Sequence, residues 1–181
     1  MGKVRKANPV KLVMGLIFKE ESVLKKAETI LKRKFGAVDY ESSILPFNFT
    51  DYYEFEFGSN LKKKFLSFSN LIYPQELVKI KLFTNRVEGK FSRLGLRLVN
   101  IDPGYLDSAK YILATTKDYI HRIYLDKGIF AEITLYFKHN TFLPGEWTYQ
   151  DYKTKEYIDI LTRIREIYGQ QLKKICALPL I

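Results

Sequence analysis

Apolar residues recur along this chain in two rhythms, one of period two and one near three and a half. Leu12 to Phe18 is apolar on both faces, as a strand covered from both sides would be. From Glu20 to Phe35 the spacing turns helical through Val23, Ala27, Ile30 and Leu31, with Gly36 placed to end the helix. Val38 to Leu45 predicts a second strand. Pro46 to Gly58 is aromatic and irregular, and Lys64 to Ile72 predicts a third strand. Pro74 stands where a first helical residue often does, and Leu77, Ile80, Phe83, Val87 and Phe91 mark one face of the helix that follows. Leu96 to Ile101 completes a β-α-β-β-α-β order. The expected fold class is therefore α+β with a ferredoxin-like, split-βαβ core.

Beyond that core, Asp102-Pro103-Gly104 predicts a turn into a short helix from Leu106 to about Thr116. Tyr119 to Leu125 and Ile129 to Phe137 alternate around Asp126-Lys127-Gly128, a hairpin with glycine at the left-handed position. Pairing Leu125 with Ile129 sets Arg122 opposite Glu132 and His121 opposite Ile133. Side-chain parity then puts His121 among Ile123, Leu125, Ile129 and Leu135, away from Arg122. A short strand follows Asn140, and residues 153–175 form a terminal helix with Ile160, Ile164, Ile167 and Leu172 on one side. No repeat, low-complexity tract or linker interrupts residues 1–181, so a single domain is expected.

Composition adds three points. Two Met and one Cys, beside plentiful Lys and Glu, give the heat-adapted signature. The lone Cys176 can form no internal disulfide, which suits a reducing cytoplasm. Val10 to Phe18 behind Lys3, Arg5 and Lys6 mimics a secretory signal, but Lys11 breaks it and Lys19-Glu20-Glu21 replaces the small residues of a cleavage site. Leu12 to Phe18 is also too short to span a membrane, so no membrane partner is expected. The net charge of +10 is uneven, since residues 1–35 hold ten Lys/Arg against three Glu. A basic end of this kind suits an anionic partner such as RNA.

Several chemistries fail on inventory. His121, His139 and Cys176 match no zinc spacing, and no G-x-S-x-G elbow is present. Gly89-Lys90 is the nearest fragment to a P-loop, with Thr84 in place of its first glycine and Phe91 in place of its Ser/Thr. No G-x-G-x-x-G follows the first strand. Lys64-Phe65-Leu66-Ser67-Phe68 lacks the glycines of an RNP1 strand.

Six segments carry a resemblance running from the first strand to about Tyr152. They are Phe49-Thr50-Asp51-Tyr52-Tyr53, Lys81-Leu82-Phe83-Thr84-Asn85, Asn100 to Leu106, Ala114-Thr115-Thr116-Lys117-Asp118, His121-Arg122-Ile123-Tyr124 and Trp147-Thr148-Tyr149. With them the chain resembles a family of short bacterial proteins, well represented in thermophiles and known only as a domain of unknown function. Members are sometimes labelled GTP-binding, and the resemblance implies no site residues. Thr116-Lys117-Asp118 is similar to the guanine-reading N-K-x-D but lacks its Asn and its spacer.

Polar chemistry gathers at three places. Thr115, Thr116, Lys117 and Asp118 with Arg122 and Glu132 form a set able to hold an anionic ligand, Arg122 as a two-pronged anchor and Lys117 as a point charge. The alternative is an ordinary cross-strand ion pair. His121 on an apolar face suits a hydrogen-bonded core residue. Asp102 and Tyr105 at a strand end, with Asp51 in the aromatic loop, suit ligand contacts or plain turn chemistry. A helix of about 16 Å between Asp102 and Lys117 would hold those two apart.

The leading expectation is a module binding a small anionic ligand, a nucleotide or phosphorylated metabolite, with no catalytic constellation evident and the question of enzymatic activity open. Two rivals follow. One is RNA association through Lys25, Lys26, Lys32, Arg33, Lys34 and the Lys62-Lys63-Lys64 run. The other is an enzyme using Mg²⁺ held by Asp51, Asp102 or Glu132. No other metal and no cofactor is indicated.

Overall fold

The protein is described by a computed structural model over residues 2–176, without the side chains of Asp51, Glu54, Phe55 and Cys176. Its centre is β1, Val10–Phe18, buried at every position. Leu12, Met14, Leu16 and Phe18 face α1 (Glu21–Phe35) and α3 (Leu77–Lys90), meeting Leu24, Ala27, Leu31, Ile80 and Val87. Val13, on the other face, meets Tyr157, Leu161 and Ile164 of α4 (Lys155–Cys176). Burying each large apolar side chain here contributes about 1.5–3 kcal/mol, so β1 and its two helical layers anchor the fold.

The second strand is split into β2 (Val38–Glu41) and β3 (Leu45–Phe47), both paired with β4 (Leu61–Ile72). A 3-10 turn, Asp51–Tyr53, and the single-turn α2, Glu54–Phe57, lie between. After α3 come a small hairpin, β5 (Ser92–Arg93) with β6 (Leu96–Arg97), and then β7 (Val99–Leu106). β8 (Lys110–Thr115), β9 (Ile123–Asp126), β10 (Ile129–Lys138) and β11 (Thr141–Pro144) follow. One nine-stranded sheet runs β11-β10-β8-β7-β1-β4-β2, with β3 beside β4 and β9 beside β10. Every pairing is antiparallel, so the fold is α+β. Among the described residues no helix is long and apolar enough to cross a membrane.

Three expectations are overturned. The helix expected over Leu106–Thr116 is instead the end of β7, a turn and β8. Asp107 Oδ1 accepts the N–H groups of Ala109 and Lys110 at 2.8 and 2.9 Å, fixing the turn. Tyr111 to Ala114 is then buried on both faces, the apolar run that periodicity alone cannot separate from a helix. Asp102-Pro103-Gly104 is therefore not a turn but the middle of β7.

The hairpin also differs. It closes between Asp126 and Ile129 over Lys127 and Gly128, both left-handed (φ 52° and 75°). This two-residue turn matches the twist of the strands, and a bulge then restores the expected register, with Tyr124 opposite Phe130 and Ile123 opposite Ala131. Tyr119 to Arg122 forms a turn, with the Arg122 N–H on Tyr119 O at 2.9 Å. Strand parity therefore never reaches His121, and it does not join the apolar face.

Candidate functional site

β7 and β8 pair only from Gly104↔Leu113 to Leu106↔Tyr111. The ladder begins just after Pro103, which has no N–H to donate. Toward Asn100 on one strand and Thr115 on the other the two part, and a cavity of about 820 Å³ opens there. Lys81, Asn85 and Glu88 of α3 reach into it. The aromatic loop contributes Phe49, Tyr52 and Tyr53, and the segment after β11 contributes Trp147, Thr148, Tyr149 and Asp151.

One wall is a chain of charge. Arg97 Nη2 and Nη1 contact Glu56 Oε2 and Glu88 Oε2 at 2.6 and 2.9 Å. Arg97 Nη1 also donates to Asn100 Oδ1 at 2.9 Å, and Asn100 Nδ2 donates to Asp102 Oδ2 at 2.7 Å. Lys81 Nζ, 3.5 Å from Asp102 Oδ1, donates to Ile101 O at 3.1 Å. The Ile101 N–H donates to Glu88 Oε1 at 2.7 Å. Burial pushes the Glu88 carboxyl above its ordinary range, against the pull of Lys81, this backbone N–H and Arg97. Burial, with the Asp102 charge beside it, also holds the Tyr53 phenol protonated well beyond its ordinary range.

The opposite wall centres on Glu132, only 1% exposed. Its Oε2 accepts from Arg122 Nε at 2.9 Å and lies 3.2 Å from His121 Nε2, while Oε1 accepts from Thr134 Oγ1 at 3.2 Å. A carboxylate only accepts, so in this contact Nε2 of His121 is the donor. His121 and Arg122 thus share a partner, contrary to their expected separation. The His121 ring stacks on Trp147, with centroids 5.6 Å apart. Arg122 Nη2 donates to Tyr149 OH at 2.6 Å and Nη1 to Lys117 O at 3.1 Å.

On the floor, Lys63 pairs with Asp151 at 2.6 Å, both buried. Four rings surround its ammonium, with Tyr152, Tyr157, Phe65 and Phe47 centroids at 4.3, 5.0, 5.2 and 5.4 Å. At the mouth, Lys117 Nζ donates to Tyr52 OH at 2.5 Å and sits 3.9 Å from that ring's centroid.

Five of the expected site residues, Asp102, Thr115, Thr116, Lys117 and Glu132, line this one cavity. Asp102 and Lys117 share it because no helix separates them. Arg122 stands behind Glu132 rather than in the lining, and exposed Asp118 lies outside the lining. Tyr105 packs with the α1–α3 core and does not line the cavity. The side chain of Asp51 lies outside the described ones. Among the described residues no three His, Cys, Asp or Glu side chains come together as a metal site.

The Lys62-Lys63-Lys64 run is not a free basic cluster. Lys62 pairs with Glu21 at 2.8 Å, Lys63 is caged, and Lys64 bridges Glu28 and Glu41 at 2.9 Å each. Gly89-Lys90 forms the last turn of α3, not the loop ahead of a helix that a P-loop requires.

Lys81, Asn85, Arg97, Asn100 and Asp151 were not singled out from sequence as site residues, and Lys63 was read only as part of a basic run suited to RNA. Of the six segments that carry the resemblance, five line the cavity and the sixth supplies Arg122 and His121, which hold Glu132 from behind. That convergence was the available signal. Residues 8–168 match a family described as "Domain of unknown function (DUF4416)". No curated protein and no solved structure matches the chain.

Proposed function

The chain belongs to the DUF4416 family, a domain of unknown function, and we propose that it is a binding module whose cavity takes a small anionic ligand with a flat portion, a nucleotide or phosphorylated metabolite. The carrying observation is Lys117. Among the described residues it is the lining cation with no carboxylate in reach, its ammonium held only by a phenol. Lys63 and Arg97 are neutralised by Asp151, Glu56 and Glu88, and Lys81 stands beside Asp102.

An anionic group at Lys117 would have the Thr115 and Thr116 hydroxyls nearby, and Tyr52, Tyr53 and Trp147 offer faces for a planar group. Asp102 and Asn85 supply polar contacts at depth. A volume of about 820 Å³ falls within the range of small-molecule sites. The four strands β7-β1-β4-β2, with α1 and α3 on one face, support reading residues 10–106 as the split-βαβ unit. Residues 107–176 then extend the sheet and close the cavity. The single cysteine supports a cytoplasmic setting.

Native mass spectrometry of the purified protein, followed by thermal-shift titration with nucleotides and sugar phosphates, tests the reading. Lys117→Ala should abolish binding at little cost in stability, because an exposed cation–π interaction is worth only about 0.5–1 kcal/mol. Wild-type affinity for every ligand in that variant would remove the reading.

A further inference from the structure

The outer surface of the α1–α3 layer carries charge of a different kind from the cavity. Lys32, Arg33 and Lys34 end α1, and Lys79 and Arg86 project from α3; all five are exposed. Among the described residues none of the five lies within ion-pair distance of a carboxylate. By contrast Lys11, Lys62, Lys63, Lys64 and Arg97, on or around the sheet, each have one.

A groove of about 510 Å³ between the helices collects Lys34, Lys79 and Arg86 around a floor that includes Phe35, Ile80 and Phe83. Lys34 Nζ and the Arg86 guanidinium stand 5.7 and 5.9 Å from the same Phe83 ring centroid. The one carboxylate in the lining, Glu76, accepts the Tyr73 N–H at 2.7 Å. Three cations gathered against one carboxylate repel one another, and a further anion placed among them lowers that cost.

We propose that this groove binds single-stranded nucleic acid, with phosphates along its cationic rims and bases against its aromatic floor. That combination of charged walls and ring faces is how single strands are held without sequence readout. A duplex covers its base faces and would leave the floor unused. A bilayer surface fits less well, because the half-buried Phe35 and Phe83 line the floor of a groove and do not project from α1 and α3.

The test is fluorescence anisotropy of short single-stranded RNA and DNA of one mixed sequence, titrated at about 50 and about 200 mM salt. Three proteins are compared: wild type, the groove triple Lys34→Ala/Lys79→Ala/Arg86→Ala, and an α4 triple Lys155→Ala/Lys173→Ala/Lys174→Ala with the same charge loss. The wild type should bind at low salt, to one or both strands. The groove triple should weaken binding about tenfold or more and flatten the log–log salt slope by about 0.7 for each phosphate no longer neutralised. The α4 triple should match the wild type.

Absence of binding at low salt overturns the proposal, as does equal weakening by both triples. So does a polyglutamate chain or an anionic phosphatidylserine vesicle competing as strongly as the strand. Circular dichroism melts confirm that both triples fold. A cavity variant, Lys117→Ala, should leave strand binding intact, which keeps this outcome separate from that of the ligand pocket.

Discussion

Arg122 and Glu132 form a shielded ion pair, 2.9 Å apart, with side chains 8% and 1% exposed. A pair in water would contribute only about 0–1 kcal/mol. Here removing Arg122 leaves a buried carboxylate with only His121 and Thr134 beside it. Arg122→Ala should therefore cost about 3–5 kcal/mol in denaturant unfolding, and Arg122→Leu with Glu132→Leu should recover most of that. A loss below about 1 kcal/mol in the single variant would mean that water reaches Glu132.

Two glycines should respond in opposite directions. A Cβ on Gly104 would sit 2.3 Å from Ile112 O and 3.0 Å from the Tyr111 ring. Gly104→Ala must push β7 and β8 apart, at a cost of roughly 1–3 kcal/mol. Gly89, inside α3, has nothing within 4 Å of that position. Gly89→Ala should stabilise by about 0.4–1 kcal/mol through reduced freedom of the unfolded chain. Urea midpoints of the two variants decide both.

Burial raises the phenols of Tyr40, Tyr53, Tyr105, Tyr111, Tyr149, Tyr152, Tyr157 and Tyr168 above their ordinary 10.0. The folded chain keeps these protons at a pH where the unfolded chain has lost them. Their contribution to stability is whole below pH 10.0 and drains away as pH climbs past it. Phenolate absorbance should therefore rise late, with the deeply buried Tyr53, Tyr111, Tyr152 and Tyr157 ionising together with the loss of far-ultraviolet dichroism. Full ionisation of all thirteen tyrosines in a still-folded protein would contradict this.

The composition implies a melting temperature above the mesophile cluster of about 45–65 °C. Calorimetry showing a midpoint inside that range would refute the heat-adapted reading.

Where one physical signal dominated, the chain could be read directly. β1 was legible because a strand covered on both faces must be apolar throughout, and α1, α3 and α4 because each shows a stripe of helical period. β8 was not, since a buried run of four apolar residues between turns has the same pattern in a strand and in a helix. That single confusion separated Asp102 from Lys117 and divided one cavity into two. His121 failed for another reason: parity was extended through residues 119–122, which form a turn. Lys63 and Lys81 are charged residues in buried positions, and only the tertiary partners Asp151 and Ile101 O reveal why.

Helix α3 presents Lys81, Asn85 and Glu88 to the cavity and Lys79 and Arg86 to the outer groove. Arg97 ties its Glu88 to Glu56 of the aromatic loop, so the loop over one site is fastened to the rod that bears the other. Two occupants of a shared rigid element are thermodynamically linked wherever either one biases its position. The linkage is reciprocal, so any factor by which a cavity ligand changes strand affinity must equal the factor by which the strand changes ligand affinity. A closed binding cycle measured on both ligands would express that as one coupling constant belonging to the helix.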